Sequence, residues 1–423
     1  MAIDTRRLRS IVGGSAGNLV EWYDWYAYTS FSLYFAASFF PKGDPTAQLL
    51  STAAIFAVGF LMRPIGAWIM GVYGDRHGRK AGLALSVALM AGGSIMIAIA
   101  PTYAQFGVFA PLWLLTARLL QGLSVGGEYG TSATYLSEMA TDNRRGFWSS
   151  FQYVTLIGGQ LLSLTVLLIL QATMSEADLT NWGWRLPFLV GAALAVIVYV
   201  LRRGLAETDA FRAQSADRPA STPGNLWRDH PRLFMIVAVV SAGGSLSFYA
   251  FTTYLQKFLV NTAGLSKASS TETMTLALVV FMLLQPVWGA ISDRVGRKPL
   301  LLLFSIGVGV VAVPVFSALS TVQSASAAFG LTLIPLTLLA AYTSIGAVFK
   351  AELFPPHIRT LGVALPYAIG NALFGGTAEY VALWFKDIGH ESVFYWYVTA
   401  MLAAATIAFL MLPETKSRDL VSG

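Results

Sequence analysis

A helix crosses the hydrocarbon of a bilayer with about 17–25 consecutive, mostly apolar residues. Twelve stretches meet that requirement, at residues 11–37, 49–73, 81–100, 111–139, 147–171, 185–201, 233–260, 274–291, 300–319, 325–351, 361–385 and 392–412. Only 12% of the chain is charged and 55% is hydrophobic, where a soluble domain carries about 25% charged residues. The expected fold class is an all-α integral membrane protein. Arg6, Arg7 and Arg9 precede the first stretch as they would a signal peptide. That stretch contains Glu21 and Asp24 and has no clean cleavage site, so it reads as a retained first helix. The chain has no cysteine, which excludes disulfides and thiolate metal sites.

The connection after the second stretch reads G-x-x-x-D-R-x-G-R-K, with Gly71, Asp75, Arg76, Gly78, Arg79 and Lys80. The same pattern follows the eighth stretch as Gly289, Asp293, Arg294, Gly296, Arg297 and Lys298, about half a chain length later. A repeat at that distance means two related halves. Two weaker pairs keep the same order: Glu138, Arg145 and Gly146 with Glu352, Arg359 and Gly362, and Glu207-Thr208 with Glu414-Thr415. The halves are expected at 1–204 and 231–423, each with six helices, around a polar linker at 205–230 suited in part to lie on the membrane surface.

The motif has a physical reading. Gly78 and Gly296 permit a tight reversal between two helices. Gly71 and Gly289 let two helix ends approach closely. Asp75 and Asp293 can accept hydrogen bonds from the amides of a neighbouring helix start, or from an arginine. A basic loop that only sets topology is the alternative; two copies with identical spacing favour an inner gate.

Of 28 lysines and arginines, the loops on one side hold only Lys42, Lys267 and Lys386, while Arg63, Arg118, Arg185, Lys257 and Lys350 fall at or within stretches. The rest gather on the other side, which the positive-inside rule makes cytoplasmic, with both termini. The net charge of +6 therefore follows topology and is no nucleic-acid footprint.

Two parallel six-helix halves carrying this motif resemble the major facilitator superfamily, whose transporters bind substrate between halves near the midplane. The residues Asn18 to Asp24, Phe60 to Pro64, Gln121 to Gly130 and Trp182 to Arg185 resemble its metabolite:proton symporter family. Phe248 to Lys257, Asn261 to Gly264, Lys350 to Pro355 and Ala378 to Leu383 resemble the branch that carries 2-oxoglutarate. The resemblance implies a multi-pass protein of a bacterial inner (plasma) membrane, working as a monomer in the lipid bilayer. Its partners would be a small dicarboxylate, most closely 2-oxoglutarate, and protons. It also implies alternating access and no cofactor.

Ionisable residues within membrane spans are costly and are functional candidates by default. Arg63, Arg118, Gln121, Tyr26, Tyr249 and Lys350 are the expected substrate residues. Arg118 and Gln121 share a helix face, and Arg63 precedes Pro64, which frees backbone groups. Asp24, then Glu21 and Glu128, are the expected proton carriers, with Glu379 a further candidate that Lys257 is placed to pair. An unperturbed carboxyl titrates near about 4; burial and a like charge nearby favour the neutral form that coupling requires. A neighbouring Arg63 would oppose this until substrate engages it. Each charge could instead belong to a structural pair between helices. The aromatics Trp22, Tyr23, Trp25, Tyr26 and Tyr28 read mostly as packing, and Arg185, beside two tryptophans, as an interface anchor.

Enzyme readings fail. His77, His230, His357 and His390 lie in loops or at helix ends without metal spacing, and nothing pairs a nucleophile with a base. The rival readings are a symporter for another carboxylate (3-oxoadipate-like, citrate-like or shikimate-like) or for a zwitterionic osmolyte and, from a different class, a channel or transporter-like receptor.

Overall fold

A computed structural model describes residues 5–41, 43–77, 79–125, 144–203, 223–355 and 358–416. Among these residues every expected stretch contains a helix, residues 126–139 of the fourth lying outside those described: α1 (Thr5–Phe39), α2 (Pro45–His77), α3 (Arg79–Ala98), α4 (Phe109–Val125), α5 (Arg145–Thr173), α6 (Leu186–Arg203), α7 (Pro231–Tyr249), α8 (Lys267–Val295), α9 (Lys298–Leu319), α10 (Ala325–Thr343), α11 (Arg359–Gly370) and α12 (Ser392–Leu410). Eight segments of these described residues are long and apolar enough to cross a membrane, and Leu85–Ala98 and Phe109–Val125 are shorter apolar helices. Starts follow local chemistry. Ser266 and Ser324 accept the amides of Ser269 and Ala327 ahead of α8 and α10, and Pro231 opens α7 where no intrahelical donor is needed.

Three expected spans are not continuous. α7 passes through a π-helical turn at Ala250–Tyr254 and resumes as Leu255–Asn261. α11 does the same at Asn371–Gly375 and resumes as Ala378–Asp387. α10 ends at Thr343, and the chain continues through a turn into Val348–Leu353. An apolar run does not encode such breaks, because hydropathy is indifferent to the hydrogen-bond register of the backbone.

The described residues of Met1–Gly43, Leu61–Glu128 and Thr155–Ala220 form one compact unit, and those of Asp44–Phe60, Tyr129–Val154 and Ser221–Gly423 a second. In the first, α3 packs between α4 and α6, and α1 lies against α6 and α4. In the second, α9 packs on α10 and α12, α10 on α8, and α7 on α11 and α12. The most apolar part of the α7 span is 78% buried, against 33% for α8. α7 is thus the more enclosed of the two helices. Trp68, Val310 and Ile407 are exposed, at 72%, 69% and 62%. In water such surface would drive association; in a bilayer it meets lipid.

The turn after α8 shows how a loop is fixed. Gly296 closes α8 at φ +108°, a conformation that a Cβ resists. Beyond α12, Glu414 accepts the backbone amides of Arg297 (2.8 Å) and Lys298 (3.0 Å), at the start of α9. It also accepts those of Thr415 and Lys416. Partial burial pushes its pKa up, but the amides of Arg297, Lys416, Lys298 and Thr415 outweigh this and hold the carboxyl below its ordinary range. Its stabilising contribution is therefore complete above the unfolded pKa, near about 4.3, and is lost as pH falls through the lower folded value. We expect the difference in Tm between the native chain and Glu414→Gln to be largest at neutral pH and to shrink on acidification below pH ~4. A pH-independent difference would show that the charge of Glu414 is not what caps α9.

Candidate functional site

The first compact unit buries a polar cluster drawn from α1, α2, α3 and α4. Asp24 on α1 is fully buried. Ser94 Oγ of α3 donates to its Oδ1 at 2.5 Å, and Gln121 Nε2 of α4 donates to its Oδ2 at 2.6 Å. Gln121 Oε1 in turn accepts from Arg118 Nη1 at 2.6 Å. One amide therefore joins a buried anion to a buried cation. The small residues around it make this possible. A Cβ at Gly93 would collide with the Gln121 side chain, and one at Gly191 of α6 with Asp24 Oδ1.

Both arginines lie over one indole. Arg118 Cζ is 4.0 Å from the Trp25 ring centroid and Arg63 Cζ is 4.1 Å from it. Arg118 is also over Tyr28 at 4.4 Å, and Arg63 over Trp22 at 5.2 Å. A cation over an aromatic face gains about 2 kcal/mol or more when desolvated, which offsets part of the cost of withdrawing each guanidinium from water. Glu21 is buried one turn before Asp24, and Tyr26 is stacked on Trp22. The expected Arg118, Gln121, Asp24, Arg63, Glu21 and Tyr26 thus belong to one unit. The basic group joined to Asp24 through Gln121 is Arg118. The sequence reading missed Ser94, Trp25 and Tyr28 as members of the cluster. Ser94 stands as one hydroxyl in a small apolar run, and Trp25 and Tyr28 sit in an aromatic stretch that reads as packing.

The second unit holds Tyr249, Lys350 and Glu379. Tyr249 packs edge-on against Phe56, Phe60 and Phe248. Lys350 is fully buried, with Nζ 4.4 Å from the Tyr367 ring centroid and farther from Phe349 and Tyr342. Glu379 is paired with Lys257 at 2.5 Å, both nearly inaccessible. Arg185, in the first unit, donates to the carbonyls of Ala98 and Ala100 at the end of α3 and covers Trp184.

The second copy of the repeated motif is also in the second unit. Asp293 accepts the amides of Gly146 (2.8 Å) and Phe147 (2.9 Å) at the start of α5. It pairs with Arg297 at 2.9 Å, which reaches Ser292 and, at 3.5 Å, Glu352. Glu352 accepts the Thr415 hydroxyl. Gly289 meets the backbone of Gly146. Both ligands expected of this aspartate, a helix N-terminus and an arginine, are present. Gly78 and Glu128 lie outside the described residues, as do the side chains of Asp75, Arg76, Arg79 and Lys80 and all but the helical backbone at Gly71.

The sequence model of the sugar (and other) transporter family matches residues 11–222 and again residues 206–422. The chain belongs to that family. Among curated relatives, it is 54% identical to the alpha-ketoglutarate permease of Escherichia coli (strain K12), over 96% of this chain and 94% of that protein. It is 32% identical to the citrate-proton symporter of Salmonella typhi, over 98% and 95%. Among solved structures, the xylose transporter XylE from E. coli, in a partially occluded inward open conformation, superposes with TM-score 0.77 at 19% identity, over 97% of this chain and 98% of that one. That likeness shows the major facilitator fold alone. This member of the family is a transporter, not an enzyme.

The amide bridge has a direct test. Gln121→Leu keeps the volume but removes the group that satisfies Asp24 Oδ2 and Arg118 Nη1. Stranding buried polar partners costs about 1–3 kcal/mol, so the purified variant should melt several degrees lower. An unchanged Tm would show that the bridge carries no stability.

Proposed function

We propose that this chain is a proton symporter that carries a dicarboxylate, most closely 2-oxoglutarate, into the cell by alternating access. Its place would be a bacterial inner membrane, with both termini cytoplasmic. The observation that carries this reading is the pair of buried arginines on Trp25, one of them tied through Gln121 to the buried Asp24. The close similarity over nearly the whole chain to a protein called alpha-ketoglutarate permease supports the substrate. A relative called a citrate-proton symporter supports coupling to protons.

Energetics require coupling. Each charge moved against the membrane potential costs about 2.3 kcal/mol per 100 mV. A dianion entering a negative interior therefore works against roughly 4.6 kcal/mol, or about three decades of gradient. Two protons cancel that charge, and a third makes entry electrically favoured.

The reading includes a coupling route. Substrate carboxylates engage Arg63 and Arg118 by paired N–H donors. Arg118 then turns from Gln121, and Asp24 loses the positive charge relayed to it. The acid takes a proton, so substrate and proton load together. Glu21, Glu128 and Glu379 are further candidates for proton transfer, and Tyr26, Tyr249 and Lys350 for substrate contact. The Asp293 network, and Asp75 in the first copy of the motif, would serve the inner gate, holding it through the α5 N-terminus.

Calorimetric titration of 2-oxoglutarate tests the site. Arg118→Lys keeps the charge but loses the two-pronged geometry, so affinity should fall about tenfold, a loss on the order of 1.4 kcal/mol. Arg118→Ala and Arg63→Ala should bind more weakly still. Native affinity in both alanine variants would place the carboxylates elsewhere.

A further inference from the structure

We infer that Asn371 reads the oxygen on the second carbon of the diacid, so that the protein also binds 2-hydroxy diacids and discriminates against the unsubstituted chain. The inference rests on the proposal that the cargo is a small dicarboxylate, and deepens it by naming a residue that sets its specificity.

Asn371 is only 1% exposed. Among the described residues, its Oδ1 has no hydrogen-bond partner. A buried acceptor without a donor is costly, and native folds keep few of them. The backbone around it is equally unusual. Asn371 opens the π-helical turn of α11, where the Gly376 amide donates to the Asn371 carbonyl at 2.8 Å. Single π-helical turns within α-helices are frequent at functional sites.

The turn sets Asn371 against α7. A Cβ at Gly370 would meet the Ala238 carbonyl and the Ala242 amide, so the two helices cross backbone against backbone just before it. A Cβ at Gly375 would lie 2.6 Å from Asn371 Oδ1, 2.8 Å from Ser245 Cβ and 3.0 Å from a ring carbon of Tyr249. One point is thus within 3.0 Å of all three side chains, which makes them neighbours. Only a glycine at 375 lets the Asn371 amide lie there.

An amide, a hydroxyl and a phenol carry no charge at neutral pH, so this group suits an uncharged part of a ligand rather than a carboxylate. Oδ1 only accepts, and its natural partner is a hydroxyl. The other end of the same amide only donates, and a half-turn about the last side-chain bond would present it to a keto oxygen. One residue therefore serves a 2-hydroxy and a 2-oxo diacid alike. A plain methylene offers neither a donor nor an acceptor, and a site built to hydrogen-bond an oxygen rejects the analogue that lacks it.

The experiment is calorimetric titration of the purified full-length protein with 2-oxoglutarate, each enantiomer of 2-hydroxyglutarate, and glutarate. The native protein should bind 2-oxoglutarate and one 2-hydroxyglutarate roughly tenfold or more tighter than glutarate. Asn371→Leu keeps the volume and removes the amide. It should weaken both oxygenated acids at least about threefold while leaving glutarate unchanged, since glutarate makes no bond to the amide. A general loss of structure would weaken every acid alike, so the ratio is the decisive reading. Unchanged ratios in Asn371→Leu overturn the inference, as does native protein that binds neither 2-hydroxyglutarate enantiomer more tightly than glutarate. Both results leave the dicarboxylate reading intact, whereas native protein that binds none of these acids overturns that reading as well. If Asn371→Leu does not fold, Asn371→Ala replaces it, and the comparison of ligands on the native protein needs no variant.

Discussion

The structure depends on holding a carboxylate and two guanidinium groups where neither water nor headgroups reach. Isolated, each charge would be costly at membrane depth. The cluster draws on four helices, and its contacts include Ser94 and Gln121 for Asp24, Gln121 and an aromatic surface for Arg118, and indole faces for Arg63. Because one amide satisfies both signs, anything that claims Arg118 is felt at Asp24. In the proposed symport cycle, that linkage would couple substrate to proton without long-range motion.

A different use of charge secures the second copy of the repeated motif. Asp293 caps the start of α5 and Glu414 the start of α9, so carboxylates from one place in the chain terminate helices from another. The Asp293 and Arg297 pair extends to Glu352 and through it to Thr415. These contacts draw together every weak internal repeat in the second half of the sequence: the glycine-aspartate motif, the Glu352 segment, and the Glu414-Thr415 pair. They recur because they form one network. A loop that only sets topology would need the lysines and arginines, not the aspartate or the helix start.

Much of this was legible in the residues. Twelve apolar runs and a duplicated motif lead to a helical, two-half membrane protein, because length and hydropathy set what crosses a bilayer. Asp24, Arg118 and Gln121 stood out because charged and amide groups are conspicuous there. Other features left no such mark. Trp25 is one of several aromatics around Asp24, and only packing decides which ring meets the arginines. Ser94 lies on a separate helix, and no periodicity ties it to Asp24. The π-helical turns in α7 and α11 arise from backbone register, to which apolar composition is blind. The expectation that Arg63 is the cation governing Asp24 came from depth alone; the bonded path runs through Gln121 to Arg118.

The central claim is that Asp24 carries the transported proton and is not merely a structural partner. Proteoliposomes containing Asp24→Asn test it most directly, because Asn keeps the shape and a hydrogen-bonding oxygen but cannot take up a proton. The account predicts that this variant still exchanges 2-oxoglutarate across the membrane at equilibrium, yet fails to accumulate it under an imposed pH gradient. Gradient-driven accumulation at the native level would contradict the account and remove Asp24 from the mechanism. Loss of exchange together with accumulation would also contradict it, leaving Asp24 as a support for the cluster.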